Sequence, residues 1–207
     1  MKRKLVVCLV TVYMIAVVGC GSDKENNSDN KNSATQVEES QTPESELKEE
    51  QTSGAYDDAT AVLTAMWNQV DDKFAVIGGT MDAPVDGAPG KVDTADTDTM
   101  TSALLVPTDV QGAVTDIACL THMMNANTYT AVAMKVDGID TATIKDKLKE
   151  TFLTNQYMCG FPDKMAIAEV DGYIVYAYGS TENIVVFEKC IKGLENANSD
   201  IMIIDLE

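Results

Sequence analysis

Residues that enzymes use for acid–base and metal chemistry are scarce in this sequence. Its 207 residues include one histidine, His122, and five cysteines. The sequence contains neither Gly-x-Ser-x-Gly nor His-Glu-x-x-His, and it has no Gly-rich phosphate loop. Those patterns place the serine of many hydrolases, the zinc ion of many proteases and the phosphates of nucleotides. No motif therefore points to any of these enzyme classes.

Basic residues are also few. The chain has 15 Lys and Arg against 33 Asp and Glu, which gives a formal net charge of −18 at pH 7. So acidic a chain repels the phosphates of nucleic acids and the head groups of anionic lipids. The composition therefore excludes DNA or RNA binding, and it excludes adsorption to an anionic membrane surface.

The apolar run at residues 5–18 follows the basic triplet Lys2-Arg3-Lys4 and is too short for a comfortable membrane-spanning helix. It ends in Val17-Val18-Gly19-Cys20, where an aliphatic, a tolerant and a small residue precede a cysteine. This arrangement resembles the signal of bacterial lipoproteins. We predict a signal peptide at 1–19, cleaved between Gly19 and Cys20. The acyl chains on Cys20, such as palmitate, would anchor the protein on the extracytoplasmic face of the cell membrane.

Residues 20–55 are predicted to form a disordered polar tether that begins at the lipidated cysteine. The segment is rich in Ser, Asn, Asp, Glu and Lys and has too few apolar residues to bury a core. As a flexible coil it would span roughly 30 Å. The remaining residues, 56–207, are predicted to form a single domain.

That domain is predicted to be α+β, with helices packed on an antiparallel sheet of four to five strands. Apolar spacing predicts an N-terminal helix at 57–74 that carries Trp67, and residues 78–100 read as a long loop. Further helices are predicted at 108–117, from Asp140 to Cys159-Gly160, and after Ser180. The predicted strands are 118–124, 128–136, 164–170, 173–178 and 201–204.

From Thr128 onwards these elements have the ferredoxin-like split βαβ order, in which both helices lie on one side of the sheet. The hairpin turning at Asp171-Gly172 is apolar on both faces. Its second face therefore needs a cover. We predict that the helix containing Trp67 provides it, and a protein partner is the alternative.

Three cysteines lie beyond the predicted anchor: Cys119, Cys159 and Cys190. An odd number at wide spacing allows at most one disulfide, and we expect three buried thiols. His122 follows Cys119 by three residues, so on a strand the two point to opposite faces and do not share a metal ion. A thiol-dependent or hydrolytic envelope enzyme that uses one of the three cysteines is the alternative to a binding protein.

Two further groups of residues are candidate sites. Asp93, Asp96 and Asp98 could supply oxygen ligands to calcium, but their spacing lacks the Gly and Glu of an EF-hand, so solvated turn residues are expected. A calcium-dependent envelope module is the corresponding alternative function. The second group is three tyrosines: Tyr173, Tyr176 and Tyr178. They could line a binding surface, although the preference of tyrosine for strands explains their presence equally well. No cofactor is predicted.

Several segments together resemble small bacterial cell-envelope lipoproteins that carry a domain of unknown function. They are the Cys20 signal and polar tether, Met124-Asn125-Ala126 leading into residues 131–135, the helix at 144–150, and the segment 170–175. The resemblance implies an anchored surface domain and carries over no catalytic residue. We therefore expect an extracytoplasmic, non-enzymatic protein that binds an envelope protein or another envelope component.

Overall fold

The computed structural model describes residues 54–206, which lie within the compact unit Glu49–Glu207. The predicted signal peptide, the cleavage site at Gly19 and Cys20, and most of the predicted tether lie outside the described residues. Within 54–206, none of the helices combines the length and the apolar character that crossing a bilayer requires.

The described residues form an α+β fold with a larger sheet than the sequence predicts. Its helices are α1 (Ala59–Trp67), α2 (Thr97–Ser102), α3 (Thr108–Gln111), α4 (Thr141–Thr154) and α5 (Thr181–Lys192). Its strands are β1 (Val76–Gly79), β2 (Pro84–Asp86), β3 (Gly90–Lys91), β4 (Val114–His122), β5 (Tyr129–Val136), β6 (Lys164–Val170), β7 (Tyr173–Gly179) and β8 (Met202–Asp205). All eight strands belong to one open antiparallel sheet, so the prediction of four to five strands is wrong.

The additional strands are short and come from the segment predicted as a loop. The sheet order is β2-β1-β4-β5-β7-β6-β8, and β3 pairs with β4 beyond the end of β1. Close approach of Gly78 and Gly90 allows β1 and β3 to lie together along β4, because a Cβ at Gly90 would overlap the main-chain nitrogen of Gly79. Glycine-containing strands of two and four residues are too short for the sequence to show a recognisable strand pattern.

The strand order decides where the helices lie. β5 and β6 run parallel with β7 between them, as in a split βαβ unit, but β8 lies beside β6, and β4 occupies the edge of β5. The connections β5–α4–β6 and β7–α5–β8 therefore start from antiparallel strands and cross the sheet in the same direction. Since such connections are almost always right-handed, α4 and α5 fall on opposite faces. The expectation that both lie on one side is wrong, and the ferredoxin-like order is not confirmed.

Two apolar layers follow from this arrangement. α1 and α5 cover an alanine-rich face of the central strands, and α1 carries Trp67, 4% exposed, into that layer as the predicted cover. α2, α3 and α4 cover the opposite face, where isoleucine, methionine and tyrosine side chains of the sheet fill the space. The small alanine side chains allow α1 and α5 to approach the sheet closely, whereas larger side chains fill the space between the sheet and the helices on the opposite face.

The predicted first residues of the helices agree with the structure better than the predicted last residues do. Asp140 and Ser180 cap α4 and α5 through bonds to main-chain N–H groups three residues on. α1 ends at Trp67 rather than at residue 74, although Val70 and Phe74 still pack against the core. α4 ends at Thr154 rather than at Cys159, and α3 ends at Gln111 because β4 begins at Val114. In each case apolar residues continue to pack after the chain has left the helix.

Candidate binding surface

The acidic loop uses its carboxylates as local caps. Asp96 caps α2: Oδ1 accepts from Thr99 N at 2.9 Å and Oδ2 from Thr99 Oγ1 at 2.6 Å, which lowers the pKa of Asp96. Asp93 Oδ1 accepts from Ala95 N at 2.9 Å, and Asp98 lies in the first turn of α2. Among residues 54–206, no three His, Cys, Asp or Glu side chains converge as metal ligands. In the structure, the carboxylates of Asp93 and Asp96 stabilise a turn and the start of α2.

The three candidate tyrosines pack in the core. Tyr173 lies on the α1 and α5 face, with Lys135 Nζ 5.7 Å from its ring centroid. Tyr176 and Tyr178 lie on the other face and donate to main-chain oxygens of the loop after α2, at 2.7 and 2.9 Å. Burial raises the pKa of both phenols. Their hydroxyl groups hold that loop against the sheet, and Tyr178 also borders an open cleft.

The three thiols are unpaired, and they differ in access. Cys119 is buried and donates to Gly79 O at 3.3 Å; burial raises its pKa to about 11. Burial also raises the pKa of Cys190. Cys159 is exposed, so the expectation of three buried thiols is wrong for this residue. At neutral pH the two buried thiols stay protonated, a state that suits packing and disfavours nucleophilic attack.

His122 shapes the turn that follows β4. Its ring lies 5.2 Å from that of Phe74, on the face opposite to Cys119, as the strand geometry predicts. Its Nδ1 accepts from Met124 N at 3.2 Å and from Asn125 N at 3.3 Å. The imidazole thus satisfies two main-chain donors and holds the next residues in a turn, where they point away from the core.

At this end of the sheet, the loop after β4 meets the loop between α4 and β6. Asn125 Nδ2 donates to Cys159 O at 3.1 Å. Asn127 Nδ2 donates to Met158 O at 2.7 Å and to Gly160 O at 2.8 Å. The main chain at Cys159 has a φ of 65°, in the left-handed region that non-glycine residues seldom adopt. The side-chain amides therefore tie the two loops together and hold the second in a defined shape.

Four large apolar side chains project into solvent from the tied loops, and we call them the Met–Phe surface. The exposed fractions are 53% for Met123, 87% for Met124, 82% for Met158 and 70% for Phe161. Neither loop carries an Asp, Glu, Lys or Arg, although charged residues make up 23% of the chain. Interface cores are depleted in charge and enriched in methionine and aromatic residues. This surface has the composition of a contact surface for another molecule.

A cleft of about 180 Å³ borders the Met–Phe surface. It is lined by Ser102, Leu105, Asn127, Asn155, Gln156, Tyr157, Met158 and Tyr178. The amide and hydroxyl groups of this lining donate and accept hydrogen bonds without adding charge. Apolar surface and cleft together offer a partner apolar contacts beside uncharged hydrogen-bonding groups.

The chain enters the domain at the opposite end of the sheet. Tyr56 N donates to Asp171 Oδ2 at 3.1 Å, in the turn between β6 and β7, and Tyr56 Oη accepts from Glu195 N at 3.1 Å. β6 and β7 have seven residues each and span about 20 Å from this turn to the other end. The Met–Phe surface therefore faces away from the point where the chain enters the domain.

Sequence reasoning did not find this surface. Methionines scattered over two loops have no periodicity, and residues 122–128 and 155–162 are far apart until the sheet brings them together. One available indication was the absence of charged side chains from both stretches of an otherwise highly charged chain. Searches of protein-family models, curated proteins and solved structures give no match to this chain. The assignment therefore depends on the geometry of the surface itself.

Proposed function

We propose that this protein is a lipid-anchored extracytoplasmic binding protein that holds an envelope protein against its Met–Phe surface and catalyses no reaction. The signal pattern ending at Cys20 supports the anchor and its location at the cell membrane. One observation carries the binding role. Four large apolar side chains are held in solvent by loop-to-loop hydrogen bonds, at the end of the sheet that faces away from residue 54.

The hydrogen bonds matter because an apolar side chain on a mobile loop would fold back against the protein. Asn127 alone satisfies two carbonyl groups of the second loop, so Met158 and its neighbours have a fixed main chain before any partner arrives. Preorganisation of this kind lowers the entropy that binding costs. The methionine side chains stay flexible and adapt to the contours of a partner.

The enzymatic and calcium-dependent alternatives have less support. Raised pKa values of Cys119 and Cys190 oppose a thiolate nucleophile at either position, so the exposed Cys159 is the one thiol left for an enzymatic alternative. Oδ1 of Asp93 and both carboxylate oxygens of Asp96 already accept main-chain or hydroxyl hydrogen bonds. As a further part of the proposal, we infer a ferredoxin-like relationship for β5, α4, β6 and β7, supported by their split βαβ order.

The anchor is tested by mass spectrometry of the envelope fraction. The expected result is an N-terminal peptide beginning at Cys20 with a diacylglyceryl thioether. Cys20→Ala should abolish both the modification and the processing. An unmodified cysteine in the wild-type protein would refute the anchor.

The surface is tested in intact cells with the full chain. A photo-crosslinking amino acid is placed at Met124, at Met158 and, as a matched control, at Met81, a methionine 98% exposed in the turn between β1 and β2. Polypeptide adducts are expected at the first two positions and not at Met81. Absence of adducts at both Met124 and Met158 would refute the binding role.

A further inference from the structure

We infer that the partner of the Met–Phe surface is a basic amphipathic protein segment, with apolar side chains on one side and Lys or Arg on the other. This inference depends on the proposed binding function and adds the chemistry of the partner. It follows from the charge around the surface and from the side chains that form it.

The charge around this end of the sheet is negative. Ionisable residues near the ends of the strands and helices here are Asp72, Glu150, Asp163, Glu182 and Asp205 against Lys73, Lys149 and Lys164. Two of these lysines already face a local group: Lys164 pairs with Asp205, and Lys73 lies over the Trp67 ring at 5.6 Å. An uncharged apolar centre with acidic surroundings therefore complements a partner with an apolar centre and a basic rim.

The side chains favour protein over other envelope polymers. Three of the four large groups are methionines, whose thioethers pack against varied apolar side chains without requiring one shape. Amphipathic helices commonly bind in this way, with apolar anchors at intervals of three and four residues. The neighbouring cleft offers amides of Asn155 and Gln156 to the polar edge of such a segment.

The charge of the surroundings argues against two other occupants. An anionic bilayer would bring its negative head groups against the acidic rim, which opposes contact with lipid. A second copy would bring another acidic rim against this one, in a chain of net charge −18. Repulsion between the two rims opposes self-association. A basic partner meets neither difficulty.

The test measures peptide binding to the full chain reconstituted in nanodiscs of zwitterionic lipid, with empty nanodiscs as the background. The probe is a synthetic helical peptide of Leu and Lys, and the matched probe has every Lys replaced by Glu. Binding of the Leu/Lys peptide at least about tenfold tighter than that of the Leu/Glu peptide is expected, together with weakening in high salt. Equal affinity of the two peptides would overturn the inference.

Variants locate the binding. The double variant Met124→Gln with Met158→Gln should bind the Leu/Lys peptide about tenfold or more weakly, whereas Met81→Gln should bind like the wild type. All three positions are more than 80% exposed, so unchanged melting temperatures are expected to accompany the loss. Unchanged affinity of the double variant would place the peptide elsewhere and overturn the inference. Sedimentation of the wild type as a dimer that the double variant abolishes would identify a second copy instead and also overturn it.

The crosslinking experiment separates this inference from the proposed function. Polypeptide adducts at Met124 without any preference for the basic peptide would leave the binding function standing and refute the partner chemistry. Lipid adducts alone at both Met124 and Met158 would refute the function and the inference together. Adducts to a polypeptide whose crosslinked segment is rich in Lys or Arg and apolar residues would support both.

Discussion

Replacement of Asn127 by alanine tests whether the two loops are held by side-chain hydrogen bonds. Its Nδ2 donates to Met158 O at 2.7 Å and to Gly160 O at 2.8 Å, and the alanine variant loses both bonds. A hydrogen bond of this type contributes about 1 kcal/mol. The free energy of opening the loop at 155–162 should therefore fall by about 2 kcal/mol, which raises the open population about 30-fold.

Limited proteolysis with chymotrypsin measures this opening. Tyr157 lies in the loop, and its hydroxyl donates to Phe152 O at 3.1 Å, so the chain must move before a protease binds there. Cleavage after Tyr157, followed by mass spectrometry, should be about 30-fold faster in Asn127→Ala when opening is fast compared with cleavage. The melting temperature should fall by only a few degrees because the core layers are untouched.

Two further variants sharpen the result. Asn127→Asp replaces the amide donor with a carboxylate that faces two carbonyl oxygens, so at neutral pH it should accelerate cleavage at least as much as alanine does. Asn68→Ala, at the exposed C-terminal end of α1, is the matched control and should leave the rate unchanged. If the cleavage rate of Asn127→Ala rose by less than about threefold, the two hydrogen bonds would contribute under about 0.7 kcal/mol to the free energy of opening the loop. That result would refute the hydrogen bonds as the support of the Met–Phe surface.

Three other predictions concern the core and the thiols. Iodoacetamide should modify Cys159 in the folded protein and Cys119 only after denaturation, because burial keeps the latter protonated and inaccessible; rapid labelling of Cys119 in peptide maps of the native protein would contradict this. Gly90→Ala should lower the free energy of unfolding in urea by about 2–4 kcal/mol, since its Cβ overlaps main-chain atoms, whereas Gly112→Ala has open space and should be neutral or slightly stabilising. Equal effects of the two substitutions would argue against the close approach of β1 and β3. Tyr176→Phe should cost about 1–2 kcal/mol at pH 7 by leaving a buried carbonyl without its donor. Burial raises the folded-state pKa of Tyr176 above its ordinary 10.0, so the wild type loses stability as pH rises past 10.0 while the Phe variant, which lacks the phenol, does not. The difference in the free energy of unfolding between wild type and variant should therefore narrow, and urea titrations at pH 7 and above about pH 10 would measure it.

Much of the local structure was predictable because its causes are local. Ser180 caps α5, Asp140 caps α4, and the Asp171-Gly172 turn joins β6 to β7, all through groups within a few residues of one another. Trp67 reached the core because apolar residues at helical spacing must bury one side. These predictions needed no information about distant parts of the chain.

Helix lengths and the short strands were harder to predict. Val70 and Phe74 continue the apolar spacing of α1 although the helix has ended, so periodicity alone overestimates its length. β1 and β3 exist because β4 offers an unpaired edge and because Gly78 and Gly90 tolerate close main-chain contact. Neither condition is visible in a window of a few residues.

By itself, the sequence determined the acidic charge, the predicted lipid signal at Cys20, the α+β class and the positions where most helices begin, since each depends on composition or on neighbouring residues. Only the tertiary structure decided that β4 occupies the edge of β5, which sends β8 to the other edge and α4 and α5 to opposite faces. The same pairing brings two uncharged loops, about 30 residues apart in the chain, to one end of the sheet. Contacts between distant residues depend on which strands pair, and strand pairing is a property of the whole folded chain.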